Sequence, residues 1–412
     1  ANISIRTSQL VGWPAIRRID FLGAALACAA TICLLLGLTW GGQTYPWESA
    51  QVIGALVAAG ALFAAFVLAE RFTAEPILPL ALFGNRVFAS AALLSLTIGA
   101  ILLSLVIYLP LYLQGVLGVQ ATYSGNLITP LTISLVLGAA SSGIAVSRTG
   151  RYQWVTILGG ALLCIGVFLL TQVDRSDPNL LFVMGRDMVI TGIGLGSFLS
   201  ILTLAVQNAL PRTRLGVGTS AIRYMQATGQ TLGVALIGTV VNNVVTAQLN
   251  TSLPKIANIG YLNSAVRSVA TNQQILVNQQ YHDGVYARVT HEAVAHGVPA
   301  IVKATAPGII KQQVAAQSAH IPPGPGHAQA VAQLTQQITT KVTQQVTAQA
   351  THEVTQTTVT LLNNVIHALR DALAVGVIQG LWVTLIIAGV TLALTLLLKD
   401  VPLAKTFREG AN

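Results

Sequence analysis

Hydrophobic positions in this chain neither alternate nor keep to one helical face. They come in runs of about twenty residues, the length an α-helix needs to cross the hydrocarbon core of a bilayer, and short polar stretches separate them. From Val87 to Ser147 there is no Asp, Glu, Lys or Arg. That run is too long for one crossing, so a reversal must fall inside it. Gln114–Gly125, with Gly115, Gly118, Gln120 and Gly125, supplies the residues of a tight turn. Two spans result, Val87–Leu113 and Ser124–Val146.

The same reading predicts spans at Phe21–Trp40 and Ala50–Ala69, joined by the aromatic turn GGQTYPWES, and at Trp154–Val173. A sixth is expected at Met188–Asn208, a seventh at Thr228–Ala247, extended toward Gly216 by a more polar turn, and an eighth at Ala374–Leu398. Arg186 and Asp187 interrupt the apolar pattern ahead of the sixth span, which places them at the membrane interface. As neighbours on a helix they point apart and are not expected to satisfy each other.

Residues 248–373 break the pattern. They hold sixteen Gln, much Thr, Ala and Val, and all seven His of the chain, from His282 to His367. Pro322, Pro323, Gly324, Pro325 and Gly326 divide the segment. After them Val331, Leu334, Ile338, Val342, Val346, Ala350 and Val354 recur at helical spacing, which predicts a long amphipathic helix leading toward the last span. The segment fits a self-packed helical hairpin, a partner-docking surface, or a metal site. For metal, no two His stand at the i,i+4 spacing that makes a zinc site on one helix face, so no metal ligands are assigned. Histidines gathered in one segment could also make it pH-sensitive.

Composition changes the picture little. The chain is 53% hydrophobic and only 8% charged, against about 25% charged in a soluble domain. The net charge of +9 would suggest nucleic acid in a soluble protein. Here it belongs to cytoplasmic loops, and no nucleic-acid partner is expected. Twelve Lys and Arg of the short loops, among them Arg17, Arg71, Arg86, Arg148, Arg151 and Lys399, fall on one side, against Arg175 alone, or two with Arg186, on the other. The positive-inside rule then puts both termini in the cytoplasm and residues 248–373 outside it. An even number of spans agrees. Cys28, Cys33 and Cys164 lie within apolar runs and read as packing residues.

Chemistry-bearing motifs are few. There is no P-loop sequence, and no Ser/His/Asp or metal set within the spans, so neither an enzyme nor a cofactor is expected. Gly192, Gly194 and Gly196 lie inside an apolar span and follow no strand, so they read as small residues for close helix packing. None of the spans as drawn contains Asp or Glu; Glu70, Asp187 and Asp371 only flank them.

Several stretches together carry a resemblance. These are YLPLYLQ followed by a short V-x-G turn, then S-G and Pro130; EPILPLALFGNRVF; RYMQATGQTLGVALIGT from Arg223 to Thr239; and the closing LKDVPL. In order, they resemble the C-terminal portion of the fourteen-helix drug:proton antiporters of the major facilitator superfamily, the EmrB/QacA type. Gly143-I-A-V-Ser147-Arg148-Thr149-Gly150-Arg151 resembles the superfamily's loop motif G-x-x-x-D-R-x-G-R, with Ser147 in the place of Asp. In the penultimate helix Gln226 takes the place of the family's usual Arg, Ala227 that of Gln, and Gln230 that of the second Gly.

The resemblance implies an all-α integral membrane protein, a partial major-facilitator fold of eight transmembrane helices with a helical extracytoplasmic insertion. Residues 1–20 would be a cytoplasmic linker, 21–69 the two central helices, 70–247 five helices of the C-terminal repeat, 248–373 the insertion, 374–398 the last helix and 399–412 a cytoplasmic tail. It further implies multi-pass insertion in the cell (inner) membrane and proton-coupled efflux of amphipathic, often cationic or aromatic, compounds. The first six helices, which carry the family's coupling acids, would lie in a missing N-terminal half. This half would then form one wall of the cavity. Candidate cavity residues are Asn126, Thr129, Thr132, Gln226 and Gln230. Gly143, Arg148, Gly150 and Arg151 would belong to the gating loop, and Pro110 and Pro130 would kink their helices. Arg223 reads as a cytoplasmic-interface residue or as a gate or substrate group. Export of a metabolite or lipid, and a non-transporting membrane sensor or scaffold that works through the insertion, remain as alternatives.

Overall fold

The computed structural model describes residues 21–41, 45–72, 80–211, 214–256, 274–277 and 279–398. The linker 1–20, the tail 399–412 and the start of the EPILPLALFGNRVF stretch lie outside the described residues. What is described is helical: α1 (Phe21–Trp40), α2 (Ala50–Phe72), α3 (Arg86–Leu111), α4 (Ala121–Thr149), α5 (Gln153–Thr171), α6 (Leu180–Ala209), α7 (Leu215–Ile256), α8 (Gln274–Val277), α9 (Gln279–Ser318) and α10 (His327–Thr395). Among the described residues nine helices are long and apolar enough to cross a membrane. Eight coincide with the expected spans. The ninth, Tyr281–Ser318, falls in the segment read as extracytoplasmic.

Two compact units result. The first takes in the described residues within Ala1–Tyr112, Gln120–Asn243 and Gly376–Asn412. Its outward surface carries Phe21, Leu22, Ile53, Val57 and Ile386, all more than a third exposed. Such an apolar exterior suits lipid rather than water. Inside, backbones approach closely where glycine removes the side chain. On α6, a Cβ at Gly194 would fall 2.5 Å from the backbone nitrogen of Leu163 on α5. One at Gly196 would fall 2.8 Å from the carbonyl carbon of Leu135 on α4, and one at Gly192 would meet Ser134 and Leu131. The three glycines thus alternate between two neighbouring helices, the packing role their sequence context indicated.

The reversal between α3 and α4 falls where the glycines placed it. Helix α3 passes through Pro110 into a π turn at Tyr112–Val116, Gly118 adopts φ 69°, and α4 begins at Ala121. A proline leaves one carbonyl of its own helix without a donor, which suits a wider turn next to it. Pro130 is accommodated within α4 without ending it. At the far end of α3, Asn85 caps the helix by accepting from the backbone N–H of Val87 at 2.9 Å, and its Nδ2 donates to the carbonyl of Ala209 at 3.2 Å. The start of α3 and the end of α6 therefore adjoin.

Three expectations change. The polar turn expected between Gly216 and Thr228 is helix, part of the 42-residue α7, which also runs past Ala247. Helix formation does not stop where hydropathy falls, because nothing there breaks a helix. Glu70 lies within α2, at 4% exposure, rather than beyond it. Arg186 and Asp187 lie within α6, and they do satisfy each other: Arg186 Nε donates to Asp187 Oδ1 at 2.9 Å. The Cβ atoms diverge as expected, but a long arginine side chain can fold back over its neighbour.

The second unit comprises Leu113–Val119 and Val244–Val375. Its centre is a cluster of Ala306, Ile338, Val342 and Val346, with Val302, Ile309, Ile310, Val314 and Leu334 packed against it, so that α9 and the first part of α10 pair. The chain reverses between them at the Pro/Gly break, where Gly326 takes φ 116°. Tyr286 donates to Asn363 Oδ1 at 2.6 Å across the same pair. Residues 327–375 contain neither Gly nor Pro, and α10 runs unbroken for 69 residues to Thr395.

Candidate substrate cleft and its charged residues

A small cleft of about 10 Å³, room for about one water, lies in the first unit between α3, α6 and α7. Ser95 and Ile98 come from α3, Leu199, Leu202 and Thr203 from α6, and Ile222, Arg223 and Gln226 from α7. Arg223 Nη1 donates to Gln226 Oε1 at 2.9 Å. The two stand one turn apart on the same face of α7, so i,i+3 geometry brings them together.

Depth follows from helix length. At 1.5 Å per residue, Arg223 lies about 12 Å from the start of α7, Ser95 about 14 Å from the start of α3, and Thr203 about 9 Å from the end of α6. The start of α3 and the end of α6 adjoin through Asn85 and Ala209, so the cleft sits two to three turns along these helices from that end. Glycine fixes the floor. A Cβ at Gly99 would fall 2.9 Å from the carbonyl carbon of Gln226, and one at Gly233 would fall 2.5 Å from the Cα of Ala100. Close contact of α3 and α7 there holds the backbone of Gln226 in place.

The other candidate residues divide. Gln230 is half-buried on α7 but does not line the cleft. Asn126, Thr129 and Thr132 are exposed on α4, on the side away from its buried Leu131, Ser134 and Ser142. The Thr132 hydroxyl donates to the carbonyl of Thr129 at 3.0 Å, and Thr129 to that of Gly125 at 3.4 Å. These residues share a helix with each other but not a site with Gln226. At the loop motif, Gly150 takes φ 71° as the C-cap of α4, its N–H donating to Val146 at 2.8 Å, which explains a glycine there. Arg148 and Arg151 are exposed beside it. Gly143 is mid-helix, with nothing within 4 Å of an added Cβ. Ser95, Thr203 and Gly99 were not singled out from the sequence. Each is a small residue in an apolar run, and only the third helix reveals its role. Tyr224, beside Arg223, shares a 2.8 Å hydrogen bond with Thr31 of α1. No group of His, Cys, Asp or Glu fit to hold a metal occurs among the described residues.

The family model described as Major Facilitator Superfamily matches residues 16–234, more than half of the chain. The chain belongs to the major facilitator superfamily. An MFS-type transporter of Mycobacterium tuberculosis is 35% identical over 257 residues, covering 61% of this chain and 37% of that protein. Multidrug resistance protein 3 of Bacillus subtilis is 34% identical over 235 residues, covering 57% and 45% respectively. The multidrug transporter protein MdtP of the same organism is 30% identical over 287 residues, covering 68% and 52%. The chain thus spans about half the length, or less, of these curated relatives. Membership and the run of apolar helices make this a multi-pass membrane protein of the superfamily.

Proposed function

We propose that this chain is the C-terminal portion of a fourteen-helix drug:proton antiporter that exports amphipathic compounds, and that the cleft at Arg223 and Gln226 is its share of the transport path. The observation that carries the reading is that cleft. It is small and apolar with a few convergent polar groups, as one wall of a larger cavity would be, and it belongs to a chain similar to two proteins named for multidrug resistance or transport. A preceding half would close the cleft and supply the acidic groups that couple export to protons. The exposed polar face of α4, with Asn126, Thr129 and Thr132, would meet that half rather than lipid. Both termini would lie in the cytoplasm of a cell (inner) membrane.

Eight helices would cross the membrane and α9 would not. Helix α9 carries Asp283, Arg288, Glu292, Lys303 and Lys311, and it buries its apolar positions against the Gln- and Thr-rich start of α10. A second compact unit whose residues 244–375 lie outside the stretch matched by the family model also suits an appendage.

The test uses the product of the complete reading frame in everted vesicles from cells stripped of their own efflux pumps. Energised vesicles should accumulate fluorescent amphiphiles, and nigericin, which collapses the pH gradient, should release them. Failure to accumulate any member of a panel with cationic, neutral and anionic heads would overturn export. Accumulation indifferent to nigericin would overturn proton coupling alone. Deleting residues 250–367 should leave accumulation intact; loss of it would favour a working role for the second unit.

A further inference from the structure

Helices α4 and α5 are joined by three residues, Gly150, Arg151 and Tyr152. Both helices cross the membrane, so a link this short keeps Arg148 and Arg151 at the bilayer surface. The two side chains are exposed, and among the described residues neither guanidinium makes a hydrogen bond or an ion pair. Ser147, where the superfamily's loop motif has an acid, supplies no carboxylate: its hydroxyl donates to the carbonyl of Ile144 at 2.8 Å. Neighbouring helices supply none either. Gly192 of α6 meets Leu131 and Ser134 of α4, and Gly196 meets Leu135, so α4 and α6 run in the same direction and end at the same level. At that end Arg86 of α3 and Arg214 ahead of α7 are also exposed, and no exposed Asp or Glu is described there; Asp174 and Asp177 lie at the other end.

The surface that follows Arg151 identifies what the arginines face. The exposed residues of α5 are Trp154, Leu158, Leu162, Ile165 and Phe168. They recur every three or four positions, so they share one face of the helix, and all are apolar. That face begins at Trp154, three positions after Arg151, where an indole suits the membrane boundary. The exposed face of α4 differs, because Asn126, Thr129 and Thr132 interrupt it. We propose that Arg148 and Arg151 hold the phosphate of an anionic phospholipid whose acyl chains lie on Trp154, Leu158 and Leu162. A guanidinium forks onto phosphate oxygens, and an anionic membrane surface attracts each arginine beside it. A free anion would match the arginines but not the apolar face that continues from them. The proposal needs a chain that crosses the membrane and does not depend on export.

The test places the complete gene product in phosphatidylcholine vesicles doped with a lipid whose acyl chains carry bromine, a short-range quencher of indole emission. The dopant is brominated phosphatidylglycerol or, in parallel, brominated phosphatidylcholine. The chain has other tryptophans, so the share due to Trp154 is read, for each variant, as the difference made by Trp154→Phe. Half-quenching of that share should need on the order of tenfold less phosphatidylglycerol than phosphatidylcholine. Arg148→Gln combined with Arg151→Gln should remove the preference. Lysine at both positions should keep most of it, because a point charge also binds phosphate, and Arg175→Gln, at the other end of α5, should leave it intact. Equal quenching by the two lipids, or a preference that survives the paired Gln variant, overturns the proposal. So does a Trp154 share that neither lipid quenches, which would mean that protein covers this face of α5. A preference lost in sodium phosphate but kept in sodium chloride of equal ionic strength would make the ligand a small free anion and overturn the lipid.

Discussion

Arg186 folds back onto the residue that follows it: its Nε and Nη2 both lie 2.9 Å from Oδ1 of Asp187. The carboxylate is 1% exposed, whereas the arginine side chain is 52% exposed. Removing a partner from a buried charge costs more than the pair itself contributes. Arg186→Gln should therefore lower stability by about 2–3 kcal/mol, short of the fully buried case because Arg186 is half open. Asp187→Asn keeps an oxygen for the guanidinium and should cost about 1 kcal/mol. Thermal unfolding of detergent-solubilised protein compares the two. If Asp187→Asn proves the more damaging, the pair is not what holds this end of α6.

The glycines of α6 give a position-specific expectation. Gly194→Ala would press a methyl group onto backbone atoms of Leu163 and Gly159 on α5, and overpacking of this kind costs roughly 1–3 kcal/mol. Gly185, on the same helix, has nothing within 4 Å of an added Cβ, so Gly185→Ala should be neutral or gain about 0.5 kcal/mol from lower backbone entropy. Melting temperatures should separate the two substitutions in opposite directions, and equal shifts would remove the packing explanation.

The placement of α9 can be read by labelling. With Cys28, Cys33 and Cys164 replaced by Ser, single cysteines at Asp283 and Ser318 should both react from outside intact cells with a membrane-impermeant maleimide. Asp283 is 72% exposed, and Ser318 lies at the end of the same helix. Reaction of one from outside and the other only from inside would make α9 a ninth span and put the two termini on opposite sides of the membrane.

The turn between α5 and α6 carries a small pH dependence. Asp174 Oδ1 accepts from the hydroxyl of Ser176 at 2.7 Å and from its backbone N–H at 2.9 Å, and these bonds hold its pKa below the usual carboxylate value. A lowered folded-state pKa means the contribution is present above the unfolded value and is lost as pH falls through the folded one. In protein labelled with ¹⁵N-serine, the Ser176 amide shift should titrate with a midpoint below that of an ordinary aspartate. Asp174→Asn should abolish the titration; a midpoint at or above the ordinary value would contradict the geometry.

Much of this protein was determined by sequence alone. The apolar runs set the helical, membrane-spanning class, because a bilayer admits a helix only where about twenty residues are free of charge. Gly118 and its neighbours set the reversal after α3, because few other residues accept the backbone a tight turn requires. Gly192, Gly194 and Gly196 were legible as packing residues from their apolar context, although which helix each one meets was not. The cleft was decided by tertiary structure. Ser95, Thr203 and Arg223 are far apart along the chain, and they meet only because glycines let α3 and α7 close together beside α6. Hydropathy reports how each segment prefers lipid or water, one segment at a time. It does not report which faces of three helices are pressed together, and that choice separated Gln226, which lines the cleft, from Asn126, Thr129 and Thr132, which do not.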